Sequence, residues 1–241
     1  MSMDIVNTGK WSYEEIDTLL IETSTLDYQK RIDFISSLFI STPYKGNTLI
    51  GSKDVKEILV INLKEVDCFT YIDYVQAMSM SKSFDDLKEK LRAIRYKDAE
   101  VDFFKRRHFF TDWAYSKPSF VTDVTSLIGM ESTKKKEKLL NLKKESILYL
   151  EGLPLIKRTI YYIPSERVNK SIINSLNTGD FIGIYSHEKG LDVSHVGIFI
   201  KKDDGKTLFR HASSFKKKVV EQDFLRYISK TPGIVVLRGI K

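Results

Sequence analysis

The chain holds one cysteine, Cys68, and four histidines, His108, His187, His195 and His211. These are the side chains able to serve as nucleophile or acid–base group near neutral pH. Cys68 lies in EVDCFTYIDYV (65–75), after the strand-like run EILVINL and before a run that reads as a helix. A thiol in the first turn of a helix sits at the positive end of the macrodipole, which favours the reactive thiolate. Asp67, next to it, opposes that effect, so a cationic partner matters. Three readings of the thiol stay open: a buried inert cysteine, a surface thiol, or a nucleophile.

A nucleophile needs a base, and histidine is the natural one. His187 lies in the turn YSHEKG and reads as solvent-facing. His108 lies in an aromatic stretch without a clear period. His195 begins the strand HVGIFI and His211 ends the strand KTLFRHAS, with the turn KKDDGK between them. If Asp203 to Gly205 form a three-residue loop with Gly205 left-handed, His211 faces Gly197 and His195 faces Ser213. Both imidazoles then share one face as diagonal neighbours, and Gly197 leaves room between them. In that arrangement His195 is general base and acid, and His211 orients its ring, the layout of a papain-like site. The alternative is a buried thiol and two sheet histidines with packing roles.

The elements that must position these groups follow from pattern. SYEE (12–15) is a capping box ahead of a helix, and 27–40 is a second helix with Ile32, Ile35, Leu38 and Phe39 on one face. EILVINL (57–63) reads as a buried strand, 68–80 as a central apolar helix, and 83–96 as a helix capped by Ser83. The stretch 101–116 reads as loop with short helical turns, and 131–144 as a polar helix or an extended segment. From 158 onward short β-rich runs dominate, with short helices at 165–176 and 221–229. The order predicts an α+β domain, with N-terminal helices and a Cys-bearing central helix packed on an antiparallel sheet or small barrel. The expected organisation is one catalytic domain over 1–241: helical to about 100, insertion-rich from about 100 to 157, and β-rich from 158 to 241.

Composition sets the class. With 42 % apolar residues, 14 Phe, 12 Tyr and 2 Trp, the chain can build a real core. No run approaches the ~18 apolar residues of a membrane span. The start, MSMDIVNTGKWSYEE, lacks a basic region followed by an apolar stretch and reads as cytoplasmic, or as a mature or trimmed form. The net charge of +7 is concentrated in STKKKEKLLNLKK (132–144) and FKKKVV (215–220). Such runs are solvated faces or attract a polyanion, and the lack of interleaved aromatics favours the former and argues against nucleic acid. One cysteine excludes an intrachain disulfide, and no His/Asp/Glu set has zinc-ligand spacing.

GDFIGIYSHEKGLDVSHVGIFIKKDDGKTLFRHASS resembles the NlpC-like papain-fold peptidoglycan hydrolases, which carry HVGIYI, a turn, and a strand ending in HAS. TPYKGNTL, LVINLKEVDCFTYID, AIRY, RRHFFTDWAY, VTDVTSLIG and GLDVSHVGI are similar to the N-acetylmuramoyl-L-alanine amidase-like family, over about residues 42–239. The resemblance implies hydrolysis of the amide between N-acetylmuramic acid and L-alanine, with Cys68, His195 and His211 as nucleophile, base and orienting residue. It also implies a periplasmic or extracellular setting, peptidoglycan fragments as partners, and no cofactor. A γ-D-glutamyl-diamino acid endopeptidase, or a non-catalytic basic polymer-binding module, remain the alternatives. Tyr44 is a candidate second oxyanion donor, or else a turn aromatic over the helix. Arg106, His108 and Trp113 could receive a sugar–peptide ligand, or else plug the core and pair with an acid. Asp192 and Ser194, flanking His195, could touch the stem peptide or order their loop.

Overall fold

The N-terminal helices start where their first amides find acceptors. Ser12 accepts the Glu15 amide at 3.1 Å and the Glu15 carboxylate accepts the Ser12 amide at 2.7 Å, so α1 (Tyr13–Thr23) starts at the expected box. Asp27 caps α2 (Tyr28–Ser37) through the Lys30 amide at 3.0 Å. Ile32, Ile35 and Phe39 are buried, while Leu38, the helix C-cap, is half-buried. The computed structural model describes residues 4–240; 1–3, the Met-Ser-Met start, and 241 lie outside them. The chain folds as two compact units, one of residues up to 107 with 210–221, the other of 108–209 with 222–240.

In the first unit β1 (Ile5–Asn7) pairs in parallel with β2 (Val60–Asn62). The strand expected over 57–63 is thus shorter, because Ile58 bridges back to Ile50 instead of extending the ladder. Two helices follow, α3 (Cys68–Met80) and α4 (Phe84–Arg95), the latter capped by Ser83 on the Asp86 amide at 3.1 Å. Residues Thr70–Ser79 of α3 are buried without interruption. A helix buried all round must satisfy its polar groups inside the protein. Tyr71 donates to the Ser36 carbonyl at 3.2 Å, Tyr74 accepts the Asn62 amide at 2.9 Å, and Gln76 accepts the Tyr28 hydroxyl at 2.8 Å. Asp73 pairs with Arg95 at 2.8 Å, both side chains 2 % exposed, and Arg95 also donates to the Val60 carbonyl at 2.7 Å.

The second unit holds α5 (Asp112–Tyr115), β3 (Val121–Asp123), α6 (Thr125–Gly129), β4 (Lys134–Leu140), the small hairpin β5 (Leu142–Lys144) and β6 (Ile147–Leu148), and β7 (Ile156–Pro164). Then come α7 (Lys170–Ser175), β8 (Phe181–Tyr185), β9 (Val193–Lys201), β10 (Thr207–Ser213), β11 (Lys218–Asp223), α8 (Phe224–Ile228) and β12 (Gly233–Gly239). Within this unit the strand order is β10-β9-β8-β12-β7-β4, with β3 also on β12. The ladders β8–β9, β12–β8, β12–β7, β4–β7 and β12–β3 are antiparallel. Ile182 and Ile184 of β8, Phe199 of β9, Phe209 of β10 and Ile234 and Val236 of β12 form one apolar face with Ile128, Ile172, Ile173, Phe224 and Ile228 from α6, α7 and α8. The molecule is therefore the mixed α+β arrangement the element order predicts, with helices on an antiparallel sheet.

The lysine-rich stretch resolves as a strand. β4 pairs along its whole length with β7, from Lys134 opposite Tyr162 to Leu140 opposite Ile156. In a helix the same lysines would repel at i,i+3 and i,i+4. Two predicted helices are shorter than their patterns: α7 starts at Lys170, capped by Asn169, and β11 runs on to Asp223, which caps α8 through the Arg226 amide at 2.7 Å.

Candidate active site

Cys68 is the first residue of α3, and the residue before it builds the helix start. Asp67 accepts the Phe69 and Thr70 amides at 3.0 and 2.7 Å, and the Thr70 hydroxyl accepts the Asp67 amide at 2.9 Å. Asp67, which sequence reasoning treated only as an opposing charge, is thus also the cap that fixes the cysteine on its helix. Cys68 is partly accessible while the helix beyond it is buried.

The segment containing Tyr44 lies against the approach to Cys68. Tyr44 bridges Val66 in parallel register, the Lys45 amide donates to the Val66 carbonyl at 3.0 Å, and the Val66 amide to the Pro43 carbonyl at 3.0 Å. On its other side Pro43 bridges Lys218 of β11, and the Tyr44 amide donates to the Lys217 carbonyl at 2.9 Å. Burial raises the Tyr44 phenol above its ordinary range, and the negative charges of Cys68 and Asp67 push it further. Tyr44 is therefore an electrostatic neighbour of the thiol.

His211, 2 % exposed, belongs to the first unit, on the part of β10 that follows Phe209. Arg210, beside it, is one of the largest fully buried side chains. Its guanidinium donates to the Asp33 carbonyl at 2.7 Å, the Asp33 carboxylate at 2.8 Å, Glu221 at 2.9 Å and the Ser36 hydroxyl. Ser36 is the residue whose carbonyl accepts Tyr71 of α3. One network thus joins the cysteine helix, α2 and the strand bearing His211. Sequence reasoning passed over Arg210, although an arginine in mid-strand, directly after Leu208 and Phe209, was a visible signal for a buried partner set.

His195 stands in the second unit. It faces Ile184 across the β8–β9 ladder, and the register shifts at the next pair, Tyr185 with Val193. Ser194 is the extra residue of that bulge, exposed, its hydroxyl 3.5 Å from the Ile184 carbonyl. A bulge re-aims neighbouring side chains. The half-buried His195 ring lies 6.0 Å from Phe209 and 6.4 Å from Tyr227 of α8, centroid to centroid. The hairpin closes as expected: the Lys202 amide donates to the Lys206 carbonyl at 2.9 Å, and Gly205 has φ +81°.

The loop before His195 is fixed from two sides. Asp192, 2 % exposed, accepts the Thr111 amide at 2.7 Å, the Thr111 hydroxyl at 2.8 Å and the Val193 amide at 2.8 Å. Burial raises its carboxyl, and the Thr111 bonds pull it back. Lys138 of β4, 6 % exposed, donates to the carbonyls of Glu188 at 2.8 Å, Leu191 at 2.7 Å and Ser186. Burial lowers its ammonium to about 8, against the charges of Asp192 and Glu188. Asp192 therefore orders its loop, and nothing in the lysine run distinguished Lys138 from its exposed neighbours.

Of the remaining candidates, Arg106 pairs with an acid and Trp113 packs in the core. The Arg106 guanidinium is committed to the buried Glu57, at 2.9 Å through Nε and by a second bond, and Tyr96 donates to the same carboxylate at 2.7 Å. Trp113, 3 % exposed, packs edge-on against Phe181 at 5.2 Å. His108 is half-buried and His187 exposed. Among the described residues no three His, Cys, Asp or Glu side chains gather to hold a metal ion, and no helix is long and apolar enough to cross a membrane.

The first unit thus carries Cys68 at the start of a capped helix, and the second carries His195 beside a strand bulge. The chain belongs to the N-acetylmuramoyl-L-alanine amidase-like family, whose model matches residues 34–234. It is similar to an N-acetylmuramoyl-L-alanine amidase of Bacteroides uniformis ATCC 8492: 28 % identity, TM-score 0.76, over 89 % of this chain and 99 % of that one. A Bacteroides fragilis protein described as a candidate xylanase is 28 % identical with TM-score 0.70, over 85 % and 99 % of the two chains. A protein of Legionella pneumophila str. Philadelphia 1 shares the fold at 22 % identity and TM-score 0.80, over 95 % and 94 %. No curated protein matches the chain.

Proposed function

We propose that this chain is a cysteine amidase with a papain-like, NlpC-type fold, acting as one catalytic domain on peptidoglycan fragments in the periplasm or outside the cell. It cleaves the amide between the lactyl carboxyl of N-acetylmuramic acid and L-alanine. The observation that carries the reading is the placement of Cys68 as the first residue of a buried, capped helix, with Tyr44 as its charge-coupled neighbour.

In this reading the Cys68 thiolate attacks the lactyl carbonyl, forming a C–S bond and a tetrahedral oxyanion. The Cys68 amide and the Tyr44 hydroxyl donate to that oxyanion. His195 protonates the alanine nitrogen as the C–N bond breaks, which releases the peptide stem and leaves a thioester. Water, deprotonated by His195, attacks the thioester and frees the lactyl carboxylate and the thiolate. His211 orients the His195 ring. Strand alternation supports this pairing of roles: Phe209 packs near His195, and His211, two residues along β10, falls on the same side of that strand.

The family resemblance supports the muramyl–alanine bond, and the residues alone would equally serve a γ-D-glutamyl-diamino acid endopeptidase. Incubation with defined muropeptides, read by mass spectrometry, tests both. Free stems are the expected product. Clipped stems with intact muramyl–alanine bonds would sink the amidase reading in favour of the endopeptidase, and cut sugars would sink both. Cys68→Ala and Cys68→Ser should keep the fold and lose about 10³-fold or more of the activity.

A further inference from the structure

The second unit also carries a hollow of about 390 Å³ lined by residues of α5, β3 and β7. That volume lies at the small end of the range for ligand sites, about 300–1,000 Å³. Tyr115 and Tyr161 line it, with Asp123, Lys117 and Thr122. None of these residues belongs to the proposed catalytic set.

Tyr115 is held in place before any ligand arrives. Its hydroxyl donates to the Thr159 carbonyl at 3.2 Å, and the Arg158 guanidinium lies 4.7 Å from its ring centroid. Arg158 is itself anchored on Asp112 at 2.7 Å and Thr111 at 2.8 Å. A ring fixed in this way loses little freedom on binding. Asp123 gives one oxygen, Oδ1, to the Thr125 amide at 2.9 Å, which leaves acceptor capacity in the hollow. Burial raises its carboxyl above the usual range.

Strand pairing adds a basic rim. The lysines of 134–136 have no aromatic neighbours in sequence, but across the ladder Lys135 faces Tyr161 and Lys134 faces Tyr162. Residues directly opposite on paired strands share a face, so Lys135 and Tyr161 project from the same face of the β4–β7 pair. An apolar ligand would leave Asp123 unanswered, and an organic cation would meet Lys117 and Lys135. Aromatic rings with a carboxylate and a hydroxyl suit a sugar, which has apolar C–H faces and hydroxyl donors.

We infer that this hollow is an accessory carbohydrate subsite taking one N-acetylhexosamine ring of a glycan strand, with Lys117 and Lys135 meeting carboxylates borne by the same strand. The identity of that strand as peptidoglycan rests on the proposed function. The subsite would hold polymer or long fragments on the enzyme apart from the bond being cut.

The test is binding, read without turnover on the Cys68→Ala chain by calorimetry and NMR titration. The probes are tri-N-acetylchitotriose and a peptidoglycan fragment bearing stem carboxylates. Saturable binding of the trisaccharide is expected, weakened about tenfold or more by Tyr161→Ala, weakened also by Asp123→Asn, and kept by Tyr161→Phe. The fragment should bind more tightly than the trisaccharide, and Lys117→Ala with Lys135→Ala should erase that difference. No saturable trisaccharide binding, or binding indifferent to Tyr161→Ala and Asp123→Asn, overturns the subsite. Equal affinity for the two probes overturns the role of the lysines. Because no bond is cut in the assay, a chain that fails as an amidase can still pass, and a true amidase can fail.

Discussion

Tyr71 and Arg210 meet at one residue, Ser36: the tyrosine donates to its carbonyl at 3.2 Å and the arginine to its hydroxyl. Tyr71 stands three residues after Cys68 on α3, and Arg210 precedes His211. The network thus sets the cysteine helix against the strand that carries His211, within one compact unit.

Arg210→Met should therefore cost stability and activity together. It removes a cation in ion-pair contact with both Asp33 and Glu221, whose side chains keep 31 % and 28 % exposure. The loss should be about 3 kcal/mol, the low end for breaking a buried pair, because both acids can reach water. Ser36→Ala removes the Arg210 contact and the hydroxyl's own bond to the Asp33 carbonyl at 3.1 Å, and should cost about 1–2 kcal/mol. Denaturant midpoints measure both. The double variant should lose less than the sum, since both changes break the same contact.

A second expectation concerns the charge at Asp67. Asn at this position is also a good N-cap, so Asp67→Asn should change stability by only a few tenths of a kcal/mol. It removes a negative charge adjacent to the thiol, which favours the thiolate. The pH midpoint of Cys68 alkylation by iodoacetamide should move down relative to the wild-type chain. An upward move would show that Asp67 acts on the thiol through something other than its charge.

These residues show where the sequence could be read and where it could not. Local signals were legible: the Ser12–Glu15 box, the helix opening at Cys68 and the left-handed Gly205 each depend on residues within a few positions. The Ser194 bulge was not, because it is a register slip visible only once β8 is paired. The β1–β2 ladder joins residues more than fifty apart and left no pattern in three-residue strands. Arg106 and Lys138 show the same limit in side chains. Whether a cation faces ligand or is consumed by Glu57 or three loop carbonyls depends on chain segments distant in sequence.

The caged lysine makes a pH prediction. Burial brings Lys138 to about 8 in the fold, from an ordinary value of 10.5, while its three carbonyl acceptors favour the ammonium. A folded-state value below the unfolded one means the unfolded chain binds the proton more tightly between the two. Stability contributed by this group therefore rises with pH from about 8 to 10.5. Lys138→Met should be less stable overall, since three carbonyls lose their donor, and should lack that rise. Thermal unfolding of both chains from pH 7 to 10 checks it, with the difference between the two curves as the readout. A constant difference across that range would contradict the lowered value.

The last prediction separates ordering of the His195 loop from contact with substrate. The Asp192 carboxylate takes two bonds from Thr111 and one from Val193, all inside the protein. Asp192→Asn keeps the size but turns one acceptor oxygen into a donor that must face another donor. At a buried site this costs about 1–3 kcal/mol. If Asp192 only holds the loop, the variant should lower kcat, because His195 three residues later is less well placed, while leaving KM for a muropeptide within about twofold. Thr111→Val, which removes one of the same bonds from the far side, should reproduce the effect at smaller size. A rise in KM with kcat unchanged would instead put the Asp192 carboxylate on the stem peptide, the role its burial argues against.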